Sequence, residues 1–159
     1  MKYNFRIATI ADYEAILELK IQVHDFHVVN RPDFFKDTED PFNKSIFQEL
    51  LEVPGIQIFV VEDKNRIYGY AITKILKFKD NPIINDQQRF FIEDICIDIN
   101  FRKKGIGSFL MNELEEICRS EGYKCLELNV WTFNESSIDF YEKFGMKTIM
   151  NRMEKIINQ

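Results

Sequence analysis

Seven consecutive residues carry the strongest chemical signal in this chain: Arg102-Lys103-Lys104-Gly105-Ile106-Gly107-Ser108. Three cations precede two glycines. An apolar, strand-like run from Phe90 to Ile99 leads in, and a helix-like run from Ser108 to Glu121 follows. Gly105 and Gly107 let the backbone turn and approach a ligand without a Cβ clash. The first amides of a helix lack intrahelical acceptors, and the helix dipole adds partial positive charge at the same end. Strand, basic Gly-x-Gly turn and helix start together describe a site for a phosphorylated ligand, above all a pyrophosphate. On its own the run reads equally as a plain strand-to-helix connection. It matches neither common nucleotide fingerprint. The lysines precede the glycines, unlike a P-loop, and Leu110 stands where the dinucleotide pattern has its third glycine.

The elements that must position this turn can be read from local pattern. Residues 3–8 read as a first strand. Thr9-Ile10-Ala11-Asp12 resembles a capping box with Asp in place of Glu, opening a helix from about Ala11 to His24. Pro32 and Pro41 break residues 30–43, and a second helix spans about Asn43 to Glu52. Ile56–Glu62 and Ile67–Leu76 form a hairpin across Asp63-Lys64-Asn65-Arg66. Lys77–Gln88 is a polar loop, and a fourth strand covers about Arg89 to Asp98. The helix after the glycine turn places Phe109, Leu110, Leu114, Ile117 and Cys118 on one face, and Gly122 stops it. Leu126, Leu128 and Val130 alternate with Glu127, Asn129 and Trp131 as a strand does. Asn134 caps a short helix, Glu135–Phe144, closed by Gly145, and Met146–Lys155 reads as a last strand. The strand-helix-strand order around residues 90–131 favours a right-handed parallel crossover in a mixed sheet.

Composition narrows the classes. The chain has 159 residues, enough for one domain with a substantial core and short for two. A net charge of −5 argues against a general nucleic-acid binder and makes the local basic cluster stand out. The cysteines, Cys96, Cys118 and Cys125, are odd in number and form no Cys-x-x-Cys pair, which fits a reducing cytoplasm. No signal-type apolar segment and no run near ~18 apolar residues is present, so no membrane partner is expected. His24 and His27 lie on one helix face with no evident third ligand, so no metal is expected.

The chain resembles the GCN5-related N-acetyltransferase superfamily over nearly its whole length, most densely over residues 56–148. Arg102-Lys103-Lys104-Gly105-Ile106-Gly107 is similar to that family's acetyl-CoA signature, Gln/Arg-x-x-Gly-x-Gly/Ala, and Ile92-Glu93-Asp94-Ile95-Cys96-Ile97 to the strand before it. Residues 134–146, Asn134-Glu135-Ser136-Ser137-Ile138-Asp139-Phe140-Tyr141-Glu142-Lys143-Phe144-Gly145-Met146, resemble a second motif, with Met146 in place of Phe. The resemblance implies an α/β (α+β) fold in one domain, 1–159. Its single mixed, mostly antiparallel twisted sheet would have six or seven strands, flanked by about four helices. It implies transfer of an acetyl group from acetyl-CoA to a primary amine. Arg102, Lys103, Lys104, Gly105, Ile106, Gly107 and Ser108 would hold the pyrophosphate. A bulge in strand four would splay it from strand five, and the pantetheine arm would pair there with backbone at Ile95, Cys96 and Ile97. A strand-four amide would polarise the thioester carbonyl.

Glu93 is the candidate base, two residues before Ile95 on the strand that would line the thioester. It reads alternatively as a strand-edge carboxylate paired with a surface cation, or as one that binds a cationic substrate. Asp94 would point to the other face unless a bulge intervenes. Tyr141 is the candidate acid for the departing thiolate, a role that the family motif gives it. Asn134 and Ser137 could contact the cofactor or only shape the helix start. His27, Arg31 and Trp131, with Glu93, are candidate acceptor-site residues, since the family builds its acceptor pocket near residues 24–35. The closest resemblance within the superfamily is to spermidine/spermine and thialysine acetyltransferases, which points to a polyamine-like small amine. A protein N-terminus, a lysine side chain, an aminoglycoside or an amino acid would need the same core. A non-catalytic CoA-sensing module is the competing class. The family also implies a homodimer.

Overall fold

The protein is described by a computed structural model over residues 3–64 and 66–157, so Asn65 of the expected hairpin turn lies outside the described residues. The chain forms two compact units, Met1–Asn129 and Val130–Gln159.

The larger unit is a five-stranded sheet ordered β1 (Asn4–Ile7), β2 (Ile56–Glu62), β3 (Ile67–Phe78), β4 (Gln87–Ile97), β5 (Leu126–Leu128). The first three pairings are antiparallel and β4–β5 is parallel. The expected crossover is therefore present, with α3 (Ile106–Ser120) joining the parallel pair. Alternation decides which side chains meet which helix. Ile58 and Val60 of β2, with Tyr70 and Ile72 of β3, pack with Tyr13, Ile16 and Leu19 of α1 (Tyr13–Asn30) and Phe47 of α2 (Lys44–Glu52). α3 buries Ile106, Leu110, Met111, Leu114 and Cys118. Phe109 and Ile117 of the expected face are only half-buried, and Met111 joins the buried stripe.

The helix ends follow local chemistry. Asp12 accepts from the Thr9 amide at 2.6 Å, closing the expected box ahead of α1. α1 continues past His24 to Asn30, and Arg31 then leaves the helical region (φ −141°, ψ 61°). The residue before a proline is pushed out of the α region, so Pro32 sets this end. Asn43 Oδ1 accepts from the Ile46 amide and starts α2. Gly69 lies where β3 and β4 approach closely: a Cβ there would come within 2.7 Å of the Cys96 carbonyl oxygen.

The smaller unit holds α4 (Glu135–Lys143). Its last stretch corrects the sequence reading. Met146–Lys155 was expected to be a strand, and the sheet to have six or seven. Residues 146–157 are irregular, and the described residues contain five strands. A strand exists through its ladder, and this segment pairs with none of the described strands, leaving Ile149, Met150 and Met153 exposed. β5 is likewise shorter than its apolar alternation implied, ending at Leu128.

Candidate active site

The glycine turn is anchored from beneath. Asp98, at 2% exposure, accepts from Arg66 at 2.6 Å and from the Asn100 amide at 3.0 Å, while its own amide bonds the Tyr68 carbonyl. The Phe101 ring contacts two cations, Arg66 at 4.7 Å and Lys104 at 4.4 Å from its centre. Arg102 folds back, its Nε donating to the Ile97 carbonyl at 3.1 Å, and Lys104 Nζ reaches the Asn100 carbonyl at 3.3 Å. Lys103 is exposed and left-handed at φ 60°, a conformation costly for a residue with a Cβ and concentrated at functional sites. Gly105 caps α3 at φ 83°, which is the physical need for glycine there. Ile106, 1% exposed, pins the helix start into the core. The amides of Ile106, Gly107 and Ser108 precede the first intrahelical bond, from Phe109 N to Gly105 O. A Cβ built on Gly105 would meet no atom within 4 Å, so the space above the turn is open. Open space, outward amides and three nearby cations fit a diphosphate.

β4 changes character at Glu93. Its register with β3 runs Ile72↔Asp94 then Thr73↔Ile92, leaving Glu93 as the extra, bulged residue. The parallel ladder with β5 ends at Ile92↔Leu128, immediately before it. From Asp94 to Ile97, β4 pairs only with β3 among the described strands, so its other edge is open. Ile95 and Ile97 are half-buried, and Cys96 is buried with its thiol pushed up to about 12 by burial. The bulge separates the two neighbouring carboxylates. Glu93 is exposed and paired with Lys74, the surface-pair alternative for this residue. Asp94 turns inward and accepts from Lys20 Nζ and from the Tyr70 hydroxyl, each at 2.6 Å.

The acceptor-region candidates group on the end of α1 and the segment after it. The His27 ring stacks on Phe35 with centres 4.8 Å apart. Burial first, opposed by Asp94, holds His27 below its ordinary value, so it is neutral at pH 7. Arg31 grips Asp33 through two nitrogens, at 2.9 and 2.8 Å, and lowers that carboxyl's pKa. His24 Nε2 is engaged with the Lys36 carbonyl at 2.9 Å. No cluster of three or more His, Cys, Asp or Glu able to hold a metal occurs among the described residues.

In the smaller unit, Asn134 Oδ1 accepts from the Ser137 amide, so both residues shape the start of α4. Trp131 stacks on Phe133 at 5.6 Å, and Tyr141 is half-buried, edge-on to Phe140 at 5.4 Å.

Within the larger unit, then, β4 and its following turn bring together Glu93, Ile95, Cys96, Ile97 and residues 102–108. Sequence reasoning missed Lys20, Tyr70 and Lys74. The i, i+7 spacing puts Lys20 on the face of His27, a signal that was available. Nothing local ties Lys74 or Tyr70 to residues near position 94.

The model of the Acetyltransferase (GNAT) family matches residues 23–146. A putative [ribosomal protein bS18]-alanine N-acetyltransferase of Bacillus subtilis is 30% identical over 67% of this chain and 65% of its own length. A thialysine N-epsilon-acetyltransferase of Bos taurus is 27% identical over 90% of this chain and 75% of its own. The crystal structure of a tetramutant protein of Bacillus halodurans, 28% identical, superposes with a TM-score of 0.94 over 97% of this chain and 99% of that one. The chain spans less than two thirds of the length of three curated relatives it matches: 39%, 65% and 61%. No helix among the described residues is long and apolar enough to cross a membrane. The extent of the family match, over a sheet that opens beside a glycine turn, places the chain in the Acetyltransferase (GNAT) family.

Proposed function

We propose that this protein is an N-acetyltransferase that moves an acetyl group from acetyl-CoA to a primary amine of a small molecule by direct attack. One observation carries the reading: the strand that parts from β5 at Glu93 leads, through a short 3-10 turn at Ile99–Phe101, to the left-handed glycine turn at the start of α3. Acetyl-CoA supplies the acetyl thioester. The amides at Ile106, Gly107 and Ser108, with Arg102, Lys103 and Lys104, bind its diphosphate. The open edge of β4 at Ile95, Cys96 and Ile97 offers backbone groups to its extended arm, and an amide there stabilises charge on the carbonyl oxygen. The acceptor amine attacks the carbonyl carbon, and the carbon–sulfur bond breaks. Glu93 takes the proton that the ammonium must lose, and Tyr141 gives its phenolic proton to the leaving thiolate. Asn134 and Ser137 order the helix that carries Tyr141. His27 and Arg31 contribute to the acceptor pocket.

The thialysine-named relative, similar over most of this chain, supports a small acceptor with a polyamine-like terminal amine. A protein N-terminus is the second reading, supported by the relative named for a ribosomal-protein alanine. The reading takes residues 1–159 as one acetyltransferase domain. It also takes the protein to be a cytoplasmic homodimer, supported by three unpaired cysteines and by the family resemblance respectively.

The test is acetyl-CoA-dependent thiol release with the purified chain across polyamines, diamino acids, aminoglycosides and N-terminal peptides. Saturable turnover of a small amine is expected. Turnover of peptides alone would move the acceptor to the second reading. Bound acetyl-CoA with no thiol release for any acceptor would replace catalysis with CoA sensing.

A further inference from the structure

A carboxylate lies beneath the turn proposed to bind the diphosphate. Asp98 has both oxygens engaged. Oδ1 accepts from the Asn100 amide at 3.0 Å and from the Asn100 side chain at 3.2 Å, and Oδ2 accepts from Arg66 at 2.6 Å. Asn100 in turn offers its carbonyl to Lys104 at 3.3 Å. Two hydrogen bonds through one residue therefore link the buried carboxylate to a cation of the turn.

Negative charge at this place is unfavourable twice over. It must be paired to be buried at all, and the Asp98 side chain is only 3% exposed. It also opposes any anion bound at residues 102–108. Among the described residues, Arg66 alone forms an ion pair with Asp98. Among those that line the cleft beside it, Glu18 and Asp98 are the acids and Arg66 is the one cation.

The arginine is mounted for this task although its side chain is 44% exposed. Its amide donates to Asp63 Oδ1 at 3.3 Å, and its carbonyl accepts from the Asp63 amide at 3.1 Å. Its guanidinium carbon lies 5.5 Å from the Tyr68 ring centre and 4.7 Å from that of Phe101. The end of one hairpin thus delivers a fixed cation to a carboxylate 32 positions away.

We propose that Arg66 is a positioning residue for the CoA diphosphate: it cancels the charge of Asp98, so that this carboxylate can hold the backbone of the turn without repelling the ligand. The inference rests on the acetyl-CoA part of the reading above.

The test is calorimetric binding of CoA to the full chain. Arg66→Met is expected to raise Kd by about ten-fold at low ionic strength, the scale of one uncompensated charge near a protein surface. The loss should shrink at about 0.5 M salt. Adding Asp98→Asn removes the unmasked charge and keeps an oxygen for the Asn100 amide. The double variant should return to within about three-fold of the wild type. Arg66→Lys, which keeps the charge, should bind more tightly than Arg66→Met. Thermal melting checks that each variant is folded. Arg66→Gln keeps a donor for Asp98 without the charge. It carries the test, with and without Asp98→Asn, where Arg66→Met has lost its fold.

Unchanged CoA affinity in the Arg66 variants overturns the proposal and leaves the acetyl-CoA reading intact. So does a loss that Asp98→Asn fails to repair, because Arg66 would then touch the ligand itself or only brace the hairpin. A wild-type chain that binds no CoA removes the acetyl-CoA reading and the proposal with it.

Discussion

Tyr141 and Glu93 sit in different physical settings, and their variants should separate accordingly. Tyr141 lies on a short helix, half-buried and edge-on to Phe140. Removing only its hydroxyl keeps those ring contacts. Tyr141→Phe is expected to lower kcat by about 10²–10⁴-fold, the usual worth of a positioned acid, with acetyl-CoA affinity unchanged by calorimetry. Full activity of this variant across pH would remove the acid assignment. Glu93 is held by Lys74 on an exposed bulge, so the ion pair would compete with the base role proposed for it. An amine that approached the proposed base would have to share or displace that lysine.

At the scale of elements, one guanidinium joins three of them. Arg6 of β1 donates to Asp12 at 2.7 and 2.9 Å, in the turn before α1, and to Glu62 of β2 at 2.6 Å. The guanidinium holds Asp12 below its ordinary 3.8 and Glu62 below 4.5. A depressed carboxyl contributes stability above its unfolded value, and that contribution is lost as pH falls through the folded one. The melting temperature should therefore drop as pH is lowered from about 4.5 toward 2. Asp12→Asn should weaken this acid limb and cost about 1–3 kcal/mol at neutral pH, because it leaves Arg6 partly unpaired. An acid limb identical in the variant would deny Asp12 this part.

Elements with strong local punctuation were legible in the sequence. β2 falls on the expected residues 56–62, Asn134 caps the helix it was expected to cap, and Asn43, expected as the first residue of the second helix, is its cap. The glycine turn was legible because Gly105 had to take a positive φ. Features that depend on distant partners were not. The β5 ladder ends beside the β4 bulge, and the pairing of Lys20 with Asp94 spans 74 positions. Asp94's facing could not be counted until the bulge was placed at Glu93. The segment after Gly145 reads as a strand, but its apolar residues Met146, Ile149, Met150 and Met153 do not alternate, and it has no ladder partner among the described strands.

For the molecule as a whole, a net charge of −5 contrasts with the three consecutive cations at 102–104, which favour an anionic ligand at that turn. Burial treats the thiols with similar one-sidedness. Cys96 is pushed up to about 12, and Cys118 and Cys125 are raised as well, burial leading in each case. Thiolates, not thiols, react, so the folded chain should be nearly silent to a disulfide reagent at pH 8. Adding denaturant should release three reactive equivalents per chain, one for each cysteine. Rapid labelling of all three without denaturant would contradict this burial. The same silence makes the folded protein a quiet background for CoA released during turnover, and lets it report its own unfolding without an added label.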